Sequence, residues 1–137
     1  MIHLVAIPFS DLASGARALD AVLGAPRNPR LEVELIAMVE PLRPGKVAVF
    51  VSAERAERDA RAAAERWLSE LEPRLERAQV PYRSSVVLGP VTRTLRKLGE
   101  RHEFAQLMVA DPASSPWRSW LRHAALRSAQ PAITFVP

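Results

Sequence analysis

Two short segments put hydroxyls, carboxylates and a guanidinium just after expected strand ends. The first is Pro8-Phe-Ser-Asp11. The second runs from Asp111 through Ser114, Ser115 and Pro116 to Trp117-Arg118-Ser119. The hydroxyls of Ser114, Ser115 and Ser119 and the guanidinium of Arg118, next to free N–H groups at a helix start, can hold a phosphate or a carboxylate. The same residues also have a plainer use. A serine caps the helix that begins at Trp117, and Arg118 stands in water. Asp11 and Asp111 facing each other supply two carboxylates for a divalent cation, but a third ligand is missing, so no metal site is expected. His3, His102 and His123 lack metal-ligand spacing. There is no Gly-x-Ser-x-Gly, no Walker loop and no Cys–His pair, and no acid–base pair recommends an enzyme.

The elements that position these segments follow from hydrophobic periodicity. Ile2 to Ile7 is apolar except for His3, as suits a strand buried on both faces, and Pro8 is expected to end it. Ser10 or Asp11 caps a helix with Leu12, Ala16, Leu19 and Leu23 on one stripe, and Gly24-Ala-Pro26 stops it. Leu31 to Glu40 is a second strand, with Glu32 and Glu34 alternating outward at its start. Val47 to Val51 is either a short extra strand or a flap. Glu54 to Gln79 is a long helix with a stripe through Ala56, Ala60, Ala63, Trp67, Leu71, Leu75 and Ala78. Pro73 predicts a bend near Ser69–Glu72 or a split into two helices. Arg83 to Leu88 is a third strand, and Gly89-Pro90 starts a helix ending near His102. Phe104 to Ala110 is a fourth strand. A helix over Trp117 to about Ala129 and a strand Ile133 to Val136 complete a βαβ unit.

This alternation predicts a single doubly wound α/β domain over residues 1–137, with a five-stranded parallel sheet in the order 3-2-1-4-5 and helices on both faces. Such sheets bind ligands beyond the carboxyl ends of their strands, where the strand order reverses. The candidate ligand-binding residues are therefore Pro8, Phe9, Ser10, Asp11, Val39 and Gly89, together with Asp111, Ser114, Ser115, Arg118 and Ser119.

A chain of 137 residues suits one domain with a proper core. No apolar run approaches the ~20 residues of a membrane span. The opening lacks a basic n-region, which leads to an expectation of cytoplasmic location. With no cysteine, thiolate chemistry and disulfides are excluded. The net charge of +4 is uneven. Residues 1–79 hold 11 Arg/Lys against 12 Asp/Glu, and residues 80–137 hold 8 against 3. A basic half fits an anionic ligand, a nucleic acid, an acidic partner or simply a solvated surface. Arg83, Arg93, Arg96, Lys97, Arg101 and Arg122 are the candidates for nucleic acid. They have no aromatic-lined surface and no recognition-helix motif, so nucleic acid is not the expected partner.

The ordered series of segments resembles the universal stress protein family. Ile2 to Ser10 is similar to that family's opening strand and turn, and Leu31 to Pro41 to its second strand. Val86-Val-Leu-Gly-Pro90 is similar to its third strand and Gly-x-Pro turn, Gln106 to Ala110 to its fourth strand, and Ala129 to Val136 to its closing segment. The resemblance spans the whole chain. It implies a dimer through the last strands and, in one branch, ATP bound with magnesium by a Gly-x2-Gly-x9-Gly-Ser/Thr loop. This chain departs from that loop. Asp111 and Ser114 stand at the first two glycines, the span is about six residues short, and Arg118-Ser119 falls at Gly-Ser. The family's aspartate after the first strand is Pro8 here, and the next glycine is Phe9. Glycines let backbone N–H groups approach phosphates without a Cβ in the way. A carboxylate at Asp111 repels phosphate, and Phe9 is expected to fill the adenine space.

The reading is thus a non-enzymatic stress-response or regulatory domain without a cofactor, not binding ATP in the usual mode. It is a homodimer through Ile133, Thr134, Phe135 and Val136 and is open to a regulatory protein partner. The alternative is a nucleotide- or small-anion-sensing switch.

Overall fold

Leu4 to Phe9 is buried without a break, because β1 (His3–Phe9) lies in the middle of the sheet with a strand on each side. The computed structural model describes residues 2–26, 28–40, 52–101, 103–110 and 132–136. After β1 come α1 (Leu12–Gly24), β2 (Leu31–Val39), α2 (Ala53–Arg77), β3 (Tyr82–Leu88), α3 (Val91–Glu100), β4 (Gln106–Ala110) and β5 (Ala132–Val136). The strands form one sheet in the order β3-β2-β1-β4-β5, and every recorded pairing is parallel. The expected fold class and strand order are both present. The expected helix after Trp117 and the Val47–Val51 run lie outside the described residues.

Two apolar cores flank the sheet. One gathers Val5, Ile7 and Phe9 of β1 and Val33, Leu35 and Ala37 of β2 with α1 and α2. The other gathers Leu4 and Ala6 of β1 and Ile36 and Met38 of β2 with Leu95 and Leu98 of α3 and with Phe104. The period of two along β1 and β2 divides their residues between the cores.

Several expectations are corrected. Pro8 does not end β1, which continues through Phe9. The β1–β4 ladder is recorded only at Val5–Gln106 and Ala6–Leu107, so it stops before the residue that has no N–H to donate. Pro73 does not split α2, which runs unbroken from Ala53 to Arg77. Pro73 is exposed, on the solvent side, where helix carbonyls already turn toward water. The buried stripe of α2 is Ala64, Leu68, Leu71 and Leu75, rotated from the expected line, with Trp67 only half-buried. In α1 the fully buried residues are Ser14, Gly15, Ala18, Leu19 and Val22. β4 starts at Gln106 rather than Phe104, whose ring is instead buried beneath α3.

The end of α2 shows how the chain turns back. Val80 N–H donates to the Leu75 carbonyl and Gln79 N–H to the Glu76 carbonyl, both at 3.1 Å. These two bonds define a Schellman cap, with Gln79 in the left-handed position at φ 56°. Val80 and Leu75 are both in the core, so the cap also carries its apolar contact. Two residues on, the Tyr82 hydroxyl donates to Glu76 Oε1 at 2.7 Å and approaches Glu72 Oε2 at 3.4 Å. The bond to Glu76, aided by desolvation and the charge of Glu72, pushes the phenol up to about 12. A proton held more tightly in the folded chain stabilises the fold fully below about pH 10, and that contribution is lost as pH rises through 12. Tyr82 is the chain's single tyrosine. A phenolate absorbance titration, with circular dichroism confirming the fold throughout, should therefore give one midpoint near 12. Glu76→Gln should bring it toward 10. A midpoint near 10 in the unaltered protein would show that the Glu76 bond does not form.

Candidate functional site

Parallel strands present their carboxyl ends along one edge, and the register brings the first group of candidate residues there. Phe9 pairs with Ala37 in β2, and Val39 pairs with Leu88 in β3. Gly89 N–H donates to the Val39 carbonyl at 3.0 Å, joining two of the expected site residues directly. Gly89 has φ +140°, a conformation essentially confined to glycine, and no heavy atom lies within 4 Å of where a Cβ would stand. Its glycine is required by the backbone and not by crowding.

The strand order reverses between β1 and β4, so the crevice of this sheet opens between their carboxyl ends. One wall is Phe9 to Asp11. The other starts at Ala110, and Asp111, Ser114, Ser115, Arg118 and Ser119 lie outside the described residues. On the described wall Asp11 is the N-cap of α1. Its Oδ1 accepts from Ser14 N–H at 2.7 Å and its Oδ2 from the Ser14 hydroxyl at 3.0 Å. Both carboxylate oxygens thus serve the cap, which resolves the choice between Ser10 and Asp11. Ser10 is half-buried beside it.

Phe9 is 2% exposed and faces the α1–α2 core. Its ring lies 6.2 Å from the Trp67 ring, centroid to centroid, tilted by 53°. Gly15 of α1 admits it, because a Cβ there would come within 2.7 Å of Phe9 Cδ2 and 3.0 Å of Leu71 Cδ1. The ring is therefore a core side chain held between two helices, which corrects the expectation that it fills ligand space.

The periodicity of β2 misplaced one charge. Glu34 was expected to face outward, yet it is 8% exposed. Its Oε2 is 3.4 Å from Arg83 Nη2 and 3.7 Å from Arg101 Nη2, and Arg101 also pairs with Glu103. The Arg101 guanidinium stacks over the Phe104 ring at 4.4 Å. This network ties β2, β3 and the end of α3 together. Only the contrast of Arg83 with Glu32 and Glu34 in sequence hinted at it. Among the described residues no group of three or more His, Asp or Glu is placed to hold a metal ion. No helix among them is long and apolar enough to cross a membrane.

A parallel sheet with its strand reversal between β1 and β4 and helices on both faces defines the doubly wound α/β class. Within that class, solved structures identify the fold. A protein of the universal stress protein family from Burkholderia pseudomallei superposes with a TM-score of 0.72 at 15% identity, covering 98% of this chain and 95% of that one. A universal stress protein in complex with cAMP gives 0.64 at 18% identity, over 98% and 97%. One from Arabidopsis thaliana with AMP bound gives 0.59 at 12% identity, over 98% and 90%. The chain has the universal stress protein fold along nearly its whole length. No family model matches the sequence, and no curated protein matches it.

Proposed function

We propose that this chain is a universal stress-type regulatory domain that acts without catalysis, as a cytoplasmic homodimer, and does not bind ATP in the family's usual mode. The observation that carries the reading is the end of β1. Pro8 and Phe9 occupy the positions of the family's aspartate and glycine, and the Phe9 ring is packed into the core. Asp111 and Ser114 replace two of the loop glycines that let N–H groups reach phosphates, which points the same way. The dimer rests on β5, which among the described residues pairs only with β4 and so leaves a sheet edge that a second copy would cover by antiparallel pairing. Ile133, Thr134, Phe135 and Val136 form that seam.

The second reading is a nucleotide-sensing switch, with ATP and magnesium or a small anion held through Ser114, Ser115, Arg118 and Ser119. It is favoured by the cAMP and AMP in two of the solved structures that share the fold. Calorimetry with ATP and magnesium separates the two. No saturable heat at millimolar nucleotide is the expected result, and a measurable isotherm turns the assignment to the switch. A native mass spectrum of the same sample should show a dimer without retained nucleotide. Ile133→Lys with Phe135→Lys should then yield monomers, and an unchanged mass would place the seam elsewhere.

A further inference from the structure

The two faces of the sheet are covered unequally. The long helix α2 packs over β2 and β3 on one face. On the other, α3 packs over β1 and β2. β3 is left at the margin of that face, and none of its residues is fully buried. Ser85 and Val87 register with Ile36 and Met38, so by alternation they share the face that α3 covers. Between the end of β3 and the length of α3 lies an open groove of about 330 Å³. Val87, Thr94 and Leu98 line it, and Arg93, Lys97 and Arg101 rim it. Gly89, expected at the crevice, also borders this groove.

The cations follow a regular spacing. Arg93, Lys97 and Arg101 recur every four residues, roughly 6 Å apart along the helix axis. Arg93 and Lys97 are exposed, and among the described residues neither has a carboxylate partner. Arg101 is held in place by Glu34, Glu103 and Phe104. We propose that this groove docks an extended acidic segment of a partner protein, with carboxylates on alternate residues and aliphatic side chains between them. Alternate residues of an extended chain are roughly 6.6 Å apart, close to the cation spacing. The intervening side chains find the apolar floor of Val87 and Leu98. A lone small anion would engage one cation and leave the floor bare. Single-stranded nucleic acid needs aromatic stacking platforms, and none of the lining residues is aromatic. The groove lies off β3 and α3, with β2 between it and the β1–β4 crevice, and of the expected crevice residues only Gly89 borders it.

Fluorescence anisotropy provides the test, with a labelled peptide carrying Glu-Val-Glu-Val-Glu between Gly-Ser flanks. Two further probes are the same residues with the glutamates contiguous and an oligothymidylate of equal charge. Arg93→Glu with Lys97→Glu should weaken the alternating peptide about tenfold or more. Arg96→Glu, exposed on the same helix but outside the groove, should change it less than about threefold. The contiguous peptide should bind several-fold more weakly. Circular dichroism of each variant checks that the fold is intact. The proposal is overturned if Arg96→Glu costs as much as the double reversal, if the oligothymidylate binds more tightly than the alternating peptide, or if no probe saturates.

Discussion

Phe9→Ala is expected to remove about 3–5 kcal/mol of folding stability, the range for truncating a buried aromatic. The reason lies in the three elements that enclose the ring. β1 delivers it, Trp67 of α2 flanks it, and Gly15 of α1 leaves room for it. Gly15→Ala alone should cost about 1–3 kcal/mol, because its methyl would lie 2.7 Å from Phe9 Cδ2 and 2.9 Å from Cγ, and a core ring has little room to retreat. With both substitutions the new methyl enters the space the ring has vacated. The double variant should then be more stable than the sum of the single losses predicts, by at least about 1 kcal/mol. Urea denaturation of the four proteins measures this directly. Additive losses would mean that Phe9 and Gly15 do not share the packing described.

Glu34→Ala should produce the second large loss, about 1–3 kcal/mol, by leaving the cations that converge on Glu34 without their shared acceptor. The figure stays below that for a fully buried pair because the side chains of Arg83 and Arg101 remain 56% and 40% exposed and can turn to water. Glu34→Leu should lose less, since an apolar residue needs no acceptor on the Ile36 and Met38 side of the sheet. Arg74→Ala, which breaks the exposed pair with Asp20, offers the comparison at roughly 0–1 kcal/mol. Guanidinium chloride would screen these pairs, so urea is the proper denaturant. If Glu34→Ala is no more harmful than Arg74→Ala, the network contributes nothing beyond a surface pair.

Much of the fold was legible because β-strands and helices announce themselves by period. The apolar runs Leu4–Ile7 and Leu35–Val39 sit in central strands, and the Gly89-Pro90 turn sits where its residue types require. The strand order could be anticipated because few orders satisfy right-handed crossovers. The misplaced features share a cause. Local chemistry disfavours proline in a ladder and so marks Pro8 as a stop, but the ladder it would interrupt ends two residues earlier. Alternation marks Glu34 as exposed because it reveals which side of a strand a residue faces and not what covers that side. Here two arginines, one of them the cap residue at the end of α3, cover it. The α1 and α2 stripes were rotated because small residues (Ser14, Gly15, Ala64) carry weak periodic signal, although they are the ones that let the helices approach the sheet. The basic spacing of α3 was visible in the sequence. Its groove was not, because periodicity says nothing of how far α3 reaches across β3, which is set by its packing on β1 and β2.

The short β1–β4 ladder has a consequence for how the domain holds together. Seven rungs join β1 to β2 and seven join β2 to β3, while β4 and β5 share five. The two groups meet through only two recorded rungs, at Val5 and Ala6. The hydrogen-bonded sheet is thus a large leaf and a small leaf joined along a narrow seam between the middle of β1 and the amino end of β4. Side-chain packing bridges that seam, since Met108 and Ala110 of β4 join the α1–α2 core and Leu107 and Val109 join the α3 core. The carboxyl ends of β1 and β4 that flank the crevice are thus held together through the two cores rather than by rungs of their own.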